Sequence, residues 1–146
     1  MFEKYFRRAL YDSAIPVPHA QEMLHYLSGR YILCAASNGP YEQQVHRLEA
    51  GEMKAYFDYI FISEKLGASK PSEIFFERAF AALNEGREEA IVPSDTIIIG
   101  DSLSSDIEGG RKFGMKTCLF NHAAIDCSEN TADYIINELS EIEKIL

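Results

Sequence analysis

The chain has 146 residues, enough for one domain with a substantial hydrophobic core. Its formal net charge of −9 argues against sequence-independent binding to nucleic acid polymers, which needs a basic face. No apolar run is long enough to span a membrane, and the N-terminus lacks the apolar core of a signal peptide, so we expect a cytoplasmic protein.

Short apolar runs alternate with amphipathic segments along the chain. The apolar runs predict strands, in chain order, at 31–36, 59–62, 96–100, 115–120 and 134–136. Apolar stripes at helical spacing predict five helices, in chain order: 20–27, 41–48, one that starts near Ser72 or Pro71 and carries its stripe at 76–83, 105–113 and 139–146. The polar stretch 122–131 is predicted to be a surface loop. Strands joined by helical crossovers indicate an α/β fold with a doubly wound parallel sheet.

The cysteines and histidines do not form a disulfide or zinc framework. The cysteines are widely spaced and are expected to be reduced: Cys34, Cys118 and Cys127. The first two lie inside apolar runs, where they are predicted to pack. The histidines lack the spacing of zinc ligands: His19, His25, His46 and His122.

Two carboxylates follow the apolar strand 97–99. Asp101 comes directly after Gly100, and Asp106 follows five residues later at the start of a predicted helix. Because open α/β sheets bind ligands at the carboxyl ends of their strands, Asp101 is well placed for chemistry. Carboxylate oxygens suit Mg²⁺, although aspartate is also common in turns and at helix starts.

Two further loops carry polar groups of the kind that can surround a phosphoryl group. Ser37, Asn38 and Gly39 follow a strand, where a hydroxyl and backbone N–H groups can hold phosphate oxygens. Lys70 precedes Pro71, which restricts the lysine backbone and helps to aim its side chain. Each signal alone fits an ordinary turn or a solvated lysine, but the set and its order on a βαβ framework indicate a phosphoryl site.

These three segments resemble the second, third and fourth motifs of the haloacid dehalogenase-like hydrolases. The resemblance runs from about Pro16 to the C-terminus and is closest to the phosphatases that include the bacterial pyrimidine nucleotidases. The segment 57–64 leading to 70–75 is similar to the family's second crossover. Membership would imply attack by an aspartate on phosphorus, through an aspartyl-phosphate that water hydrolyses.

The resemblance also implies roles for the site residues. Ser37 would hydrogen-bond the transferring phosphoryl group, Lys70 would balance its negative charge, and Asp101 would bind Mg²⁺. Asp106 would support the water shell of the metal or the loop. The implied phosphate ligands are Ser37, Asn38, Gly39 and Lys70, and the implied metal ligands are Asp101 and Asp106. The implied substrate is a small phosphorylated molecule of the nucleoside monophosphate type.

One family motif is not found in this sequence. The first motif, D-x-D at the end of an apolar strand, supplies the nucleophile, yet only Asp12 precedes Ser37, with no predicted strand before it. We therefore expect residues 1–12 to be a remnant of the family's helical cap and residues 13–146 to be an incomplete core without the central nucleophile strand. The open sheet edges would then favour self-association or binding of a separate N-terminal segment.

The leading hypothesis is a magnesium-dependent phosphohydrolase core of nucleotidase type, inactive without its nucleophile. The alternative is a non-enzymatic metal- or phosphate-binding remnant, or an interaction module. A receiver-like domain is disfavoured because its acids precede its Lys-Pro, whereas here Lys70 precedes Asp101. A dinucleotide-binding domain is disfavoured because no G-x-G-x-x-G follows a strand.

Overall fold

The computed structural model describes residues 4–7, 18–121 and 131–146. Its strands are β1 (Lys4–Arg7), β2 (Ile32–Ser37), β3 (Tyr59–Ile62), β4 (Thr96–Gly100), β5 (Lys116–Phe120) and β6 (Tyr134–Ile136). They form one sheet in the order β3-β2-β1-β4-β5-β6, and every neighbouring pair is parallel. The predicted α/β fold with a parallel sheet is confirmed.

Helices connect the strands close to the predicted positions. They are α1 (Ala20–Leu27), α2 (Tyr41–Ala50), α3 (Ser63–Leu66), α4 (Glu73–Asn84), α5 (Gly109–Phe113) and α6 (Ile142–Ile145). Single 3₁₀ turns lie at Lys54–Tyr56, Pro93–Asp95 and Leu139–Glu141. The helix predicted over 105–113 instead begins as a π-helical segment, Leu103–Glu108, that continues into α5. Among the described residues, no helix has the length and apolar character needed to cross a membrane.

Two hydrophobic cores lie on opposite faces of the sheet, because successive strand side chains alternate between faces. In β2, Leu33 and Ala35 face the core built with α1 and α6, whereas Cys34 and Ala36 face the core built with α4. Cys34 and Cys118 are both buried, as predicted for cysteines inside apolar runs. Cys127 and most of the predicted loop 122–131 lie outside the described residues.

The centre of the sheet differs from the prediction. Strand β1 lies between β2 and β4 and pairs with both, with Arg7 level with Ala35 and Ile99. The prediction that the core lacks a central strand is therefore wrong, and 4–7, which was predicted to belong to a helical cap, is a strand. The physical reason is that the backbone groups on the facing edges of β2 and β4 need partners, and β1 supplies them. Asp12 lies outside the described residues.

Candidate functional site

The polar residues predicted to form the site lie at the carboxyl ends of the central strands. Ser37 is the last residue of β2, and Asp101 directly follows β4. Each lies two residues beyond Ala35 and Ile99, which flank Arg7 on either side of β1. Because neighbouring strands are about 4.8 Å apart, the backbones at Ser37 and Asp101 are about 10 Å apart at the same edge. The register therefore places Ser37 and Asp101 at the same edge of the sheet, on either side of β1.

Lys70 reaches this edge from the chain segment before α4. Its Nζ donates a hydrogen bond to the carbonyl oxygen of Ala36 at 3.0 Å, one residue before Ser37. The same atom lies 2.5 Å from Oδ1 of Asp106, and neither side chain is exposed. A buried charge needs such a partner, because an isolated one would be costly to desolvate. The structure thus brings Lys70 and Asp106 together beside the end of β2.

Asp106 also holds the loop that follows β4. Its Oδ2 accepts a hydrogen bond from the backbone N–H of Ser102 at 3.2 Å. A Cβ at Gly100 would clash with this carboxylate, so the last position of β4 requires a residue without a side chain. Ser102 in turn accepts from Ser105 N and starts the π-helical segment. Of the two roles that the resemblance implies for Asp106, these contacts favour loop support.

Asn38 joins the loop after β2 to the backbone of Lys70. Its Nδ2 donates to the Lys70 carbonyl at 3.1 Å, and its Oδ1 accepts from Lys70 N at 2.9 Å. The peptide between Lys70 and Pro71 is cis. The Asn38 amide, which was predicted to hold phosphate, is therefore engaged in positioning Lys70.

The backbone of the same loop is held by the start of α3. Gly39 N donates to Ser63 Oγ at 2.8 Å, and Tyr41 N donates to Glu64 Oε1 at 3.0 Å. The N–H of Gly39, predicted to bind phosphate, thus has a protein acceptor. Sequence reasoning missed Ser63 and Glu64, although both directly follow β3 and so had to lie at this edge.

Ser37 contacts a residue that sequence reasoning also missed. Its Oγ donates to Oε1 of Gln44 at 2.9 Å, and the two residues are only 3% and 5% exposed. Gln44 lies on the buried face of α2 with Leu48, four residues later. A polar residue at a core-facing helical position was the available signal.

The described residues supply part of the ligand set predicted for Mg²⁺. Asp101 is a partly buried carboxylate at the correct edge of the sheet, whereas Asp106 is engaged by Lys70 and Ser102. Within residues 4–7, 18–121 and 131–146, no group of three or more potential metal ligands is present. Mg²⁺ needs only one or two protein carboxylates when water and substrate complete its shell, so Asp101 provides a minimal set.

Comparison with known proteins agrees with the family resemblance of the sequence motifs. The family model described as haloacid dehalogenase-like hydrolase matches residues 1–120. Pyrimidine 5'-nucleotidase YjjG of Escherichia coli (strain K12) is 31% identical over 144 residues, covering 97% of this chain and 61% of YjjG. The structure of the HAD-hydrolase YfnB from Bacillus subtilis, bound to magnesium, matches with a TM-score of 0.79 at 30% identity, covering 89% of this chain and 55% of YfnB.

The chain thus spans just over half the length of these two proteins. An uncharacterized protein from Listeria monocytogenes serotype 4b is more similar in size, because the match covers 99% of this chain and 96% of that one. Its TM-score is 0.78 at 16% identity, which shows a shared fold.

Proposed function

Because this chain belongs to the haloacid dehalogenase-like hydrolases, we propose that it carries the phosphate- and magnesium-binding part of a phosphohydrolase site. The main support is the buried Lys70 ammonium, held between Asp106 and the Ala36 carbonyl one residue from Ser37. Charges and donors fixed in advance are how enzymes stabilise a transferring phosphoryl group. The proposed substrate is a small phosphate monoester of the nucleoside monophosphate type, in keeping with the similarity to the nucleotidase YjjG.

In this proposal each residue has one task. Ser37 donates to a phosphoryl oxygen, and Lys70 supplies positive charge beside it. Asn38 and Asp106 position Lys70 through its backbone and its ammonium group, respectively. Asp101 would hold Mg²⁺, which when bound offsets negative charge on the phosphoryl group.

We propose further that this chain alone does not hydrolyse phosphate monoesters. The sequence contains no D-x-D, and the four residues after β1 carry no carboxylate: Arg8, Ala9, Leu10 and Tyr11. Loss of the nucleophile in a concerted site costs several orders of magnitude in rate, and the remaining groups do not replace it.

Release of phosphate from a nucleoside monophosphate and from an aryl phosphate, with Mg²⁺, tests this part of the proposal. We expect no release by the purified chain above that of Lys70→Met. Turnover that Asp12→Ala abolishes would identify Asp12 as the nucleophile and would contradict the proposed inactivity.

Binding measurements test the site itself, independently of turnover. We expect Mg²⁺ to bind in the millimolar range or more weakly, on the order of 4 kcal/mol or less, and to depend on Asp101. Asp95→Asn is the matched control for Asp101→Asn, because Asp95 lies beside the opposite end of β4. Tight binding that survives Asp101→Asn would refute the assigned metal site.

A further inference from the structure

The hydrogen bond between Ser37 and Gln44 conflicts with the task proposed for Ser37. Phosphoryl oxygens only accept hydrogen bonds, so Ser37 has to donate its single hydroxyl proton to them. In the structure the nearest acceptor of that proton is Oε1 of Gln44, at 2.9 Å, and the carbonyl oxygen of Asn38 is a longer second acceptor, at 3.4 Å. With the amide in this orientation, Ser37 has acceptor capacity left but no proton to offer.

The surroundings of Gln44 allow the opposite orientation. Among the described residues, the bond from Ser37 is the only hydrogen bond that the Gln44 side chain makes. A half turn of the amide exchanges Oε1 and Nε2, which have nearly the same size. Gly39 leaves room beside the amide, because a Cβ there would lie 2.7 Å from Nε2. After the half turn, Nε2 faces Ser37 Oγ as a donor.

We propose that Gln44 is a positioning residue that sets the direction of the Ser37 hydroxyl. Without an anion, Ser37 donates to Gln44 Oε1. When a phosphoryl oxygen enters, the amide rotates by half a turn, Nε2 donates to Ser37 Oγ, and Ser37 donates to the anion. This inference rests on the proposed function and adds a conformational step to phosphate binding.

An anion shifts the balance toward the exchanged orientation. A hydrogen bond from a hydroxyl to a charged oxygen is about twice as strong as one between neutral groups. The Ser37–Gln44 bond is not lost in the exchange, since its direction reverses while both residues stay in contact. The net gain is the new bond to the anion.

Titration of the full chain with inorganic phosphate in the presence of Mg²⁺ tests the proposal. We compare the wild type with Gln44→Glu, Gln44→Met and Ser37→Ala, and with the double variant Ser37→Ala/Gln44→Glu. A carboxylate accepts but does not donate, so Gln44→Glu keeps the hydroxyl turned away, and we expect roughly tenfold weaker phosphate binding. Methionine has a similar size and only a weak acceptor, so Gln44→Met should stay within about threefold of the wild type.

Two controls separate positioning from other effects. Gln43→Glu adds the same charge at the exposed neighbouring position and should change phosphate affinity little. In Gln44→Glu the added negative charge repels phosphate whether or not the Ser37 hydroxyl is present. We therefore expect Gln44→Glu to weaken binding less in the Ser37→Ala background than in the wild type.

NMR of the Gln44 side-chain amide gives a readout that does not require any variant of Gln44 to fold. Its two amide proton resonances should shift on addition of phosphate to the wild type and not to Ser37→Ala. The inference is overturned if Gln44→Met, correctly folded, weakens binding as much as Gln44→Glu, or if the amide does not respond although Ser37→Ala weakens binding. Absence of phosphate binding by the wild type would overturn the proposed function and this inference together.

Discussion

Lys70 and Asp106 form an ion pair between two side chains that are both fully buried, with Nζ 2.5 Å from Oδ1. They are 36 residues apart in the chain and join the segment before α4 to the loop after β4. A buried ion pair adds little stability relative to apolar packing, but removal of one partner leaves an uncompensated charge. The pair therefore links two loops of the proposed site in a way that neither residue can maintain alone.

Removal of the negative partner should destabilise the fold strongly. In Asp106→Asn the Lys70 ammonium faces a neutral amide in a buried position, and we expect a loss of about 3–5 kcal/mol in the free energy of unfolding. Urea denaturation followed by circular dichroism, without Mg²⁺, measures it. Glu108→Gln, an exposed change in the same segment, should have little effect.

If the pair acts as a unit, the double variant Lys70→Met/Asp106→Asn should lose less stability than the two single variants combined. Additive losses would contradict coupling.

The Asn38 side chain should affect both stability and phosphate binding. Asn38→Ala removes its two hydrogen bonds to the Lys70 backbone, and we expect a loss of about 1–3 kcal/mol together with weaker binding of inorganic phosphate. Asn84 is a matched control, because its amide makes the same pair of bonds to the backbone of Ile91. Asn84→Ala should lose similar stability and leave phosphate affinity unchanged. Equal effects of both variants on affinity would argue against positioning by Asn38.

A side chain at Gly39 should be poorly tolerated. Gly39 has φ +137°, a conformation nearly restricted to glycine, and an added Cβ would lie 2.7 Å from Nε2 of Gln44. Gly86 also has positive φ, at +76°, but nothing lies within 4 Å of a Cβ built there. Gly86→Ala should therefore lose only about 1–2 kcal/mol from backbone strain. We expect a lower melting temperature for Gly39→Ala than for Gly86→Ala, and equal melting temperatures would contradict the predicted clash.

The thiol of Cys118 should be unreactive in the native state. Burial, with a smaller effect from the nearby Glu141 charge, raises the pKa of Cys118 from 9.0 to about 12. Because the thiolate is the reactive form, labelling by a thiol reagent at pH 8 should be slow in a Cys127→Ser background and fast after unfolding in urea.

The same pKa difference makes the stability of the fold depend on pH. Since the pKa of Cys118 is higher in the folded state, the stability that its buried thiol contributes is complete below pH 9 and is lost as pH rises from 9 to about 12. The Cys118→Val variant should lose less stability over that pH interval, and an equal loss would contradict this assignment.

The sequence by itself determined the strands and turns whose formation depends on residues close together in the chain. Apolar runs predicted β2, β4 and β5, since a strand buried on both faces needs apolar residues at successive positions. Turn residues after these strands predicted the edge at which Ser37 and Asp101 lie, because parallel strands bring their carboxyl ends to the same edge. Buried Cys34 and Cys118 followed from the same runs.

Only the tertiary structure decided which distant groups meet. The segment Lys4–Arg7 mixes charged and aromatic residues and carries no strand periodicity, yet it forms β1, because β2 and β4 present backbone groups that require a central partner. Likewise, nothing near Asp106 in the sequence indicates Lys70 as its partner, and nothing near Ser37 indicates the direction of the Gln44 amide. Local periodicity and turn chemistry are encoded within a few residues, whereas these pairings depend on strand register and helix placement across the whole sheet.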